Sequence, residues 1–492
     1  MRRRLFGPLV AVACIVGMLG GAPAAGAAPV LVLGPGGHGA MRENPFLPAA
    51  ALTPAPAPAR PTRPPGQVSS DARRRSQVTI GSALTKLYRS RQIDAAEYGS
   101  DHAVLEKAIH TAARLRGTRA VELYSVLTTM HNMTVAGELT PSRLPALFLT
   151  LDDNRQWWST GPLLASGQRV QFAGSQLVWE YYPGQGIQLQ ELGTFGEADG
   201  FYTGGPAYYA RLRQVVSEFM ALAVHRAGGL AWEYYFSFDG GRAPWVSAMA
   251  QGTAIEALTR AYEAFHDPSY LTVAAQALPL FSAAPPVGVR VRTDRGARYL
   301  QYSFSRTSII NAFLQSLIGL YDYAHVSAST VAQRLFDAGN AEALAEVPHF
   351  NTGAWSLYQP GLEDTLSYHQ LVTGFLQELC SRTQASAYCT TGHDFEKDLT
   401  TPPVLTLNTR RSRVGALTDV HFWLSKESHV GIVEVLNGTQ IFATSAELGY
   451  GSNTFGIPTP RRPGTYTVRL AATDLAGNFK RIVGSLTVAP RH

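Results

Sequence analysis

The chain has 492 residues, of which 45% are hydrophobic, and its 42 Lys and Arg against 36 Asp and Glu give a formal net charge of +6 at pH 7. A chain of this length and composition can bury more than one hydrophobic core. The basic residues form no long stripe, which argues against nucleic acid as a partner. A mild positive balance suits an acidic polysaccharide, and it suits a cell wall equally well.

The N-terminus has the pattern of a secretory signal peptide. Basic residues at positions 2–4 precede an apolar run, and small residues at 25–27 resemble a cleavage site. The apolar run is too short for a comfortable membrane span. Cys14 lies inside the run, whereas a lipoprotein would need it afterwards. We therefore expect a signal peptide at residues 1–28, a protein that is secreted or associated with the cell wall, and no membrane span in the mature chain.

The next segment, residues 29–75, is rich in proline and alanine. Such a composition cannot bury much apolar surface and predicts an extended, disordered linker.

Residues 76–399 have the pattern of a mainly helical domain, because apolar side chains recur three or four residues apart in several segments. Strand-like runs at 167–205 and a hairpin at 287–304, turning at Thr293-Asp-Arg-Gly296, interrupt the helices. Paired antiparallel helices in this number predict an incomplete (α/α) helical toroid with a β-hairpin and strand region. That scaffold is common around clefts that hold long sugar chains.

Two cysteines, Cys380 and Cys389, remain once the signal peptide is removed. In an oxidising compartment this short spacing favours a disulfide between them, and two free thiols are the alternative.

The last segment, residues 400–492, changes to short runs of strand-forming residues separated by turns such as Asn437-Gly438 and Gly477-Asn478. About ninety residues of this pattern predict a C-terminal all-β immunoglobulin-like sandwich. We expect it to act as a spacer or in contact with the cell wall or another surface, and to carry no chemistry.

Three segments of the helical domain carry a family resemblance: residues 244–255, residues 311–322, and residues 350–358 with Tyr368-His369 beyond them. Their order and spacing resemble the C-terminal catalytic domain of D-glucuronyl C5-epimerases, which convert D-glucuronate to L-iduronate in heparosan-type chains. The similarity covers roughly residues 177–383. It implies an isomerase that inverts C5 of uronate residues in a polysaccharide. The acidic pairs Asp152-Asp153 and Glu363-Asp364 have no metal-ligand spacing with any His, so we expect no metal site, and we expect no cofactor.

The resemblance also implies site residues. The family's catalytic Glu-Tyr pair corresponds to Gln301 and Tyr302, and its two further catalytic tyrosines correspond to Tyr358 and Tyr368. Tyr182 and Gln188 lie in a stretch similar to the family's substrate-contacting aromatic-Pro-Ile-Gln sequence. The candidate substrate-binding residues are Tyr182, Gln188, Gln251, Gly252, Arg292, Asn311, Gln315 and His369.

Gln301 departs from the family because an amide cannot accept a proton as a carboxylate would. The base must then be a tyrosine or His369. If Tyr302 lies in a regular strand, it shares a face with Arg298, and either Arg298 or Arg292 could lower the pKa of its phenol. A solvated hairpin face is the alternative for these arginines.

Two other candidates have structural alternatives. His369 can equally be a core residue. Gln251 and Gly252 can open a helix whose backbone N–H groups bind an anion, or they can serve packing alone.

Two other functions stay open at this stage. A polysaccharide lyase begins with the same removal of the C5 proton and then expels the C4 substituent. A glycan-binding protein without activity is the third possibility, because the family's carboxylate is missing at Gln301.

Overall fold

The computed structural model describes residues 28–47, 79–415, 417–458 and 462–490. The predicted signal peptide lies outside the described residues except for Ala28, and most of the predicted linker lies outside them as well.

The helical domain is built from helices that begin and end as follows: α1 (Ile80–Arg89), α2 (Ala95–Arg114), α3 (Gly117–Val135), α4 (Leu144–Thr160), α5 (Glu191–Thr203), α6 (Tyr209–Met220), α7 (Ala248–Phe265), α8 (Pro268–Ala277), α9 (Ile310–Ser327), α10 (Thr330–Glu346), α11 (Leu366–Thr383) and α12 (Ser386–Asp398). Among the described residues, none of the helices combines the length and the apolar character that a membrane crossing requires.

Eight of these helices form two layers. Helices α5, α7, α9 and α11 pack side by side in an inner layer, and each also packs against the helix that follows it in the chain, which forms the outer layer. Most residues of α7 and α9 are buried because these inner helices have neighbours on several sides. This pairing is the arrangement of an incomplete α/α toroid, so the fold predicted for this domain is confirmed.

A five-stranded sheet lies beside the helices, with strand order β2-β1-β3-β4-β5. Its strands are β1 (Ala28–Leu33), β2 (Gly39–Asn44), β3 (Arg169–Phe172), β4 (Trp179–Tyr182) and β5 (Gly186–Leu189). The strands predicted within 167–205 are thus present.

The linker prediction is wrong for its first part. Strand β1 pairs in parallel with β3, and the buried Asn44 side chain donates a 2.8 Å hydrogen bond to Glu197 of α5. Four consecutive apolar residues at 30–33 supply the buried surface that the Pro/Ala-rich sequence around them lacks.

Three two-stranded hairpins each lie between an outer helix and the next inner helix: β6 (Val224–Arg226) with β7 (Gly229–Ala231), β8 (Arg290–Arg292) with β9 (Ala297–Tyr299), and β10 (Leu357–Gln359) with β11 (Leu362–Glu363). The second is the predicted hairpin, but its strand ends at Tyr299, before Gln301 and Tyr302.

The C-terminal domain is a sandwich of two sheets, ordered β12-β14-β17 and β13-β19-β18-β15-β16. Both sheets contribute side chains to one separate core. Its immunoglobulin-like character stays a prediction. The strands are β12 (Leu405–Leu407), β13 (Arg411–Arg413), β14 (Leu417–Leu424), β15 (Ser428–Leu436), β16 (Thr439–Leu448), β17 (Gly451–Pro458), β18 (Gly464–Asp474) and β19 (Phe479–Ala489).

The predicted disulfide is present. Cys380 near the end of α11 bonds to Cys389 in α12, with 4.8 Å between the Cα atoms. It ties together the last pair of inner and outer helices.

Candidate active site

A pocket opens where the sheet, two hairpins and the N-terminal ends of the inner helices meet. Aromatic rings and uncharged polar groups line it, and no Asp, Glu, Lys, Arg or His of the described chain is among the lining residues. These are Tyr182, Gln190, Leu192, Tyr234, Phe236, Phe238, Trp245, Ser247, Met249, Gln301, Tyr302, Ile309, Asn311, Tyr358 and Tyr368.

The three tyrosines predicted to be catalytic converge in this pocket. Tyr302 follows strand β9, Tyr358 lies in β10, and Tyr368 lies in the first turn of α11. The rings of Tyr358 and Tyr368 are 5.2 Å apart, and the Tyr302 hydroxyl is hydrogen-bonded to the Tyr358 oxygen. Their placement therefore agrees with the prediction, although a shared pocket does not by itself assign a role to each phenol.

A relay of hydrogen bonds ends on Tyr358. The Ser247 hydroxyl donates to the side-chain amide oxygen of Gln301 at 3.2 Å. The Gln301 side chain is hydrogen-bonded to the Tyr302 hydroxyl, which in turn donates to the Tyr358 oxygen. Since Tyr358 accepts this bond, its own proton stays available toward the pocket. Gln301 thus holds the Tyr302 phenol in place, as an amide can.

Burial keeps these phenols protonated. It raises the pKa of Tyr358 to about 12 and raises the pKa values of Tyr302 and Tyr368 well above the usual phenol range. The hypothesis that Tyr302 is a base with a lowered pKa is therefore wrong. All three phenols therefore keep their protons in the resting site.

The hairpin arginines do not reach the pocket. Arg298 forms ion pairs with Glu342, at 3.4 Å, and with Glu346 of α10. Arg292, a predicted substrate-binding residue, is exposed on β8 and is absent from the pocket lining. The charge of Arg298 therefore lies against helix α10, and that of Arg292 lies in solvent. Tyr302 lies beyond the end of strand β9, so it does not share a strand face with either arginine.

A second hydrogen-bond network lies under Tyr182, whose ring stacks on Phe236 at 4.4 Å. The Tyr182 hydroxyl accepts from Gln190 at 2.9 Å and is hydrogen-bonded to the Glu180 carboxylate. Glu180 is buried, and its carboxylate lies 3.6 Å from the Arg169 guanidinium. Burial raises the pKa of Glu180, while Arg169 opposes that shift.

Glu180, Arg169 and Gln190 were not predicted as site residues. A signal was present for Glu180: a carboxylate inside the apolar and aromatic run of residues 177–182 must be buried, and a buried charge needs a partner. Gln188, predicted instead of Gln190, donates to the Gln185 carbonyl and does not line the pocket.

Asn311, a predicted substrate-binding residue, lies in the first turn of α9 and lines the pocket. Its side chain is 1% exposed, and neither its amide nitrogen nor its amide oxygen has a hydrogen-bond partner within the described part of the protein. Buried polar groups are normally paired, so an unpaired amide facing a pocket indicates a ligand position.

Three other predicted substrate-binding residues do not line this pocket, and their contacts support the scaffold. Gln251 bonds to both backbone groups of Trp232, at 3.1 and 2.9 Å. Gln315 donates to Glu256 in a separate cavity between the inner helices. Gly252 lies where α7 meets α9, and a Cβ added there would be 2.7 Å from the Ser316 Cα.

His369 is also a core residue and not a base. It is fully buried, stacks on Trp355 at 3.7 Å, and bonds to Ser356 and to the Phe395 carbonyl at 2.8 and 2.9 Å. Burial lowers the pKa of His369 to about 4, so the ring is neutral at physiological pH.

The part of the chain that matches a known protein family contains several of the pocket residues. Residues 228–397 match the family model described as the D-glucuronyl C5-epimerase C-terminus. This segment is therefore similar to the C-terminal part of D-glucuronyl C5-epimerases. The matched residues include Tyr302, Tyr358, Tyr368, Gln301 and Asn311.

A D-glucuronyl C5-epimerase of Caenorhabditis elegans is 37% identical over 128 residues, which are 23% of this chain and 21% of the relative. The chain therefore matches about a fifth of that relative's length.

Solved structures show more distant likenesses to this chain. A cellobiose 2-epimerase of Bacillus thermoamylovorans is 12% identical with a TM-score of 0.32, covering 43% of this chain and 61% of that one. An α-mannanase of Bacteroides thetaiotaomicron is 10% identical with a TM-score of 0.34, covering 46% and 65%. Likenesses this distant do not assign a function.

The scaffold role of Gly252 can be tested by measuring stability. We expect Gly252→Ala to lower the free energy of unfolding by about 1–3 kcal/mol, because the added Cβ meets the backbone of α9. Gly374→Ala in α11 is the matched control, since nothing lies within 4 Å of its added Cβ. The control should be neutral or slightly stabilising. Equal effects in denaturant titrations would contradict the packing role.

Proposed function

We propose that this chain is a C5-epimerase that acts on uronate residues of a polysaccharide. The observation that carries the proposal is the convergence of Tyr302, Tyr358 and Tyr368 in one uncharged pocket of an epimerase-family domain. C5 epimerisation removes the hydrogen next to the uronate carboxylate and returns one to the opposite face. It therefore needs a proton acceptor on one side of the sugar ring and a proton donor on the other.

In this proposal Tyr358 is the donor. Its phenol accepts the hydrogen bond from Tyr302 and keeps its own proton for the substrate. The hydrogen bond from Tyr302 also stabilises the phenolate that forms when Tyr358 gives up that proton. Tyr368, whose ring is 5.2 Å away, completes the wall on this side.

Tyr182 with Glu180 is the acceptor in the same proposal. The C5 proton moves to the Tyr182 oxygen while the Tyr182 proton moves to the Glu180 carboxylate, so charge and protons balance. Glu180 is a carboxylate joined by a hydrogen bond to a pocket phenol, and Gln301 leaves the family's usual carboxylate position without a base. Exchange of protons with solvent then restores the Tyr358 phenol and the Glu180 carboxylate.

The uronate carboxylate needs a partner as negative charge develops on it. The Asn311 amide is unpaired in the described chain and lines the pocket. Arg169 adds a positive charge that acts on Tyr182 and Tyr368 from beneath the pocket floor.

A lyase remains the second candidate, because the same acceptor and donor could remove the C5 proton and protonate the C4 leaving group.

Secretion is part of the proposal. The signal-like N-terminus and the disulfide between Cys380 and Cys389 support it, because disulfides persist in oxidising compartments. The order β19-β18-β15-β16 in one sheet also supports an immunoglobulin-like assignment for the sandwich.

Incubation with uronate polymers in deuterated water tests the function. An epimerase labels C5 without shortening the chain, which NMR detects directly. A lyase shortens chains and creates an unsaturated end, and a binder does neither. We expect Tyr358→Phe to reduce C5 labelling by about 10²–10⁴-fold, as for loss of a general acid. Tyr124→Phe, at an exposed position of α3, is the control and should keep full labelling.

The acceptor is tested by two neighbouring tyrosines. We expect Tyr182→Phe to abolish C5 labelling while the midpoint of thermal unfolding changes little, because the Glu180–Arg169 pair stays intact. Tyr181→Phe is the matched control, since its hydroxyl bonds to Glu122 at 2.8 Å and the side chain does not line the pocket. Wild-type labelling should also fall as the pH drops through the raised pKa of Glu180. Full labelling by Tyr182→Phe would rule out this acceptor.

A further inference from the structure

The hairpin that carries Tyr358 lies between the pocket and the C-terminal sandwich. Tyr358 is the central residue of β10, and β10 pairs with β11 so that Leu357 is opposite Glu363. One strand of this hairpin therefore faces the pocket through Tyr358, and the other carries Glu363 toward the sandwich.

Glu363 binds two loops of the sandwich at once. Its carboxylate accepts hydrogen bonds from the backbone N–H of Glu427 at 2.9 Å and from that of Tyr450 at 3.2 Å. Glu427 lies between β14 and β15, and Tyr450 lies between β16 and β17. The Glu363 side chain is buried, so the two loops depend on it for these bonds.

Lys426 makes a second connection beside the first. Its buried ammonium forms an ion pair with Asp474 of the sandwich at 2.7 Å and donates to the Asp398 carbonyl at the end of α12 at 2.8 Å. It also lies 5.0 Å from the centre of the Trp355 ring. A buried lysine is costly unless it is paired, so these contacts fix its position.

The residues around Trp355 continue this connection to Tyr358. The Trp355 indole stacks on His369 and donates to the Asp364 carbonyl at 2.8 Å. The Ser356 hydroxyl donates to Asp364 at 2.6 Å, and the Ser356 carbonyl accepts from the Asp364 N–H at 3.0 Å. Residues on both sides of the hairpin are thus bonded together two residues before Tyr358.

We propose that the C-terminal sandwich positions Tyr358 in the pocket, with Glu363 and Lys426 as the connecting residues. The sandwich is then a working part of the site and not the spacer that the sequence pattern favours. The role of Tyr358 in this inference rests on the proposed function, whereas the coupling between sandwich and hairpin does not.

Charge at this interface gives the coupling a pH dependence. Lys426 and Glu427 face Glu363 from the sandwich, and burial raises the pKa of Glu363 to about 7. A carboxyl group whose pKa is raised on folding stabilises the folded state at low pH, and that contribution is lost as the pH rises through about 7. The Glu363→Gln side chain carries no charge at any pH, so this variant should lose that change in folding stability between low pH and pH values above about 7.

Hydrogen–deuterium exchange of the full chain tests the coupling. We expect Glu363→Ala to speed amide exchange in residues 357–363 at least tenfold, because the sandwich loops lose their acceptor. Glu363→Gln keeps an acceptor oxygen and should leave exchange near the wild-type rate. Glu447→Ala, on the exposed face of β16, is the control. Glu363→Asp, whose carboxylate is one methylene shorter, replaces Glu363→Ala if that variant does not fold.

Faster exchange confined to the sandwich loops, with residues 357–363 unchanged, would overturn the proposal. Labelling of C5 is measured separately on the same variants, and a lower kcat with little change in KM is expected for a displaced donor. If the wild type labels no polymer, the proposed function fails while the amide exchange still decides the coupling.

Discussion

Removal of water from the pocket phenols is the constraint on which the site depends. Tyr302, Tyr358 and Tyr368 come from separate segments, and burial at their shared pocket raises the pKa of each. A phenol in this state keeps its own proton and can accept another only if a neighbouring base takes the first. A site that must both remove and return a proton therefore needs a base outside this group, which is why the Glu180–Tyr182 pair matters.

The scaffold explains how distant segments meet. Inner helices α7 and α9 approach closely through Gly252 and Gly319, where a side chain would overlap backbone atoms. The hairpins that precede inner helices α7, α9 and α11 then lie at the same side of the layer. Tyr302 follows one hairpin and Tyr358 lies within another, so a hydrogen bond can join residues more than fifty positions apart.

The paired helices, the disulfide and the shared location of the three tyrosines could be predicted from the sequence, because each leaves a local signal or a family-like spacing. Residues whose roles depend on contacts distant in the chain were not predicted correctly. Gln251 and His369 have polar side chains that suit a ligand, but their bonds go to Trp232 and to Phe395. Strand β1 was missed because its apolar residues at 30–33 are surrounded by proline and alanine.

A role for Arg292 and Arg298 beside Tyr302, to which a solvated hairpin face was the alternative, rested on the assumption that strand β9 continues to Tyr302. The strand ends at Tyr299, and the chain turns toward the pocket without the arginines. The partner of Glu180 could be recognised only from the sheet register, since Arg169 lies opposite it on the neighbouring strand and eleven positions earlier in the chain.

The central claim is that Glu180, acting through Tyr182, takes the place of the carboxylate that Gln301 lacks. The most direct measurement is C5 deuterium labelling by the double variant Tyr182→Phe with Gln301→Glu. A carboxylate at position 301 would lie beside Tyr302 within the same pocket and could accept the proton directly. The account predicts that the double variant recovers labelling that Tyr182→Phe alone has lost. A double variant as inactive as Tyr182→Phe, in a protein that folds and binds the polymer, would contradict the account.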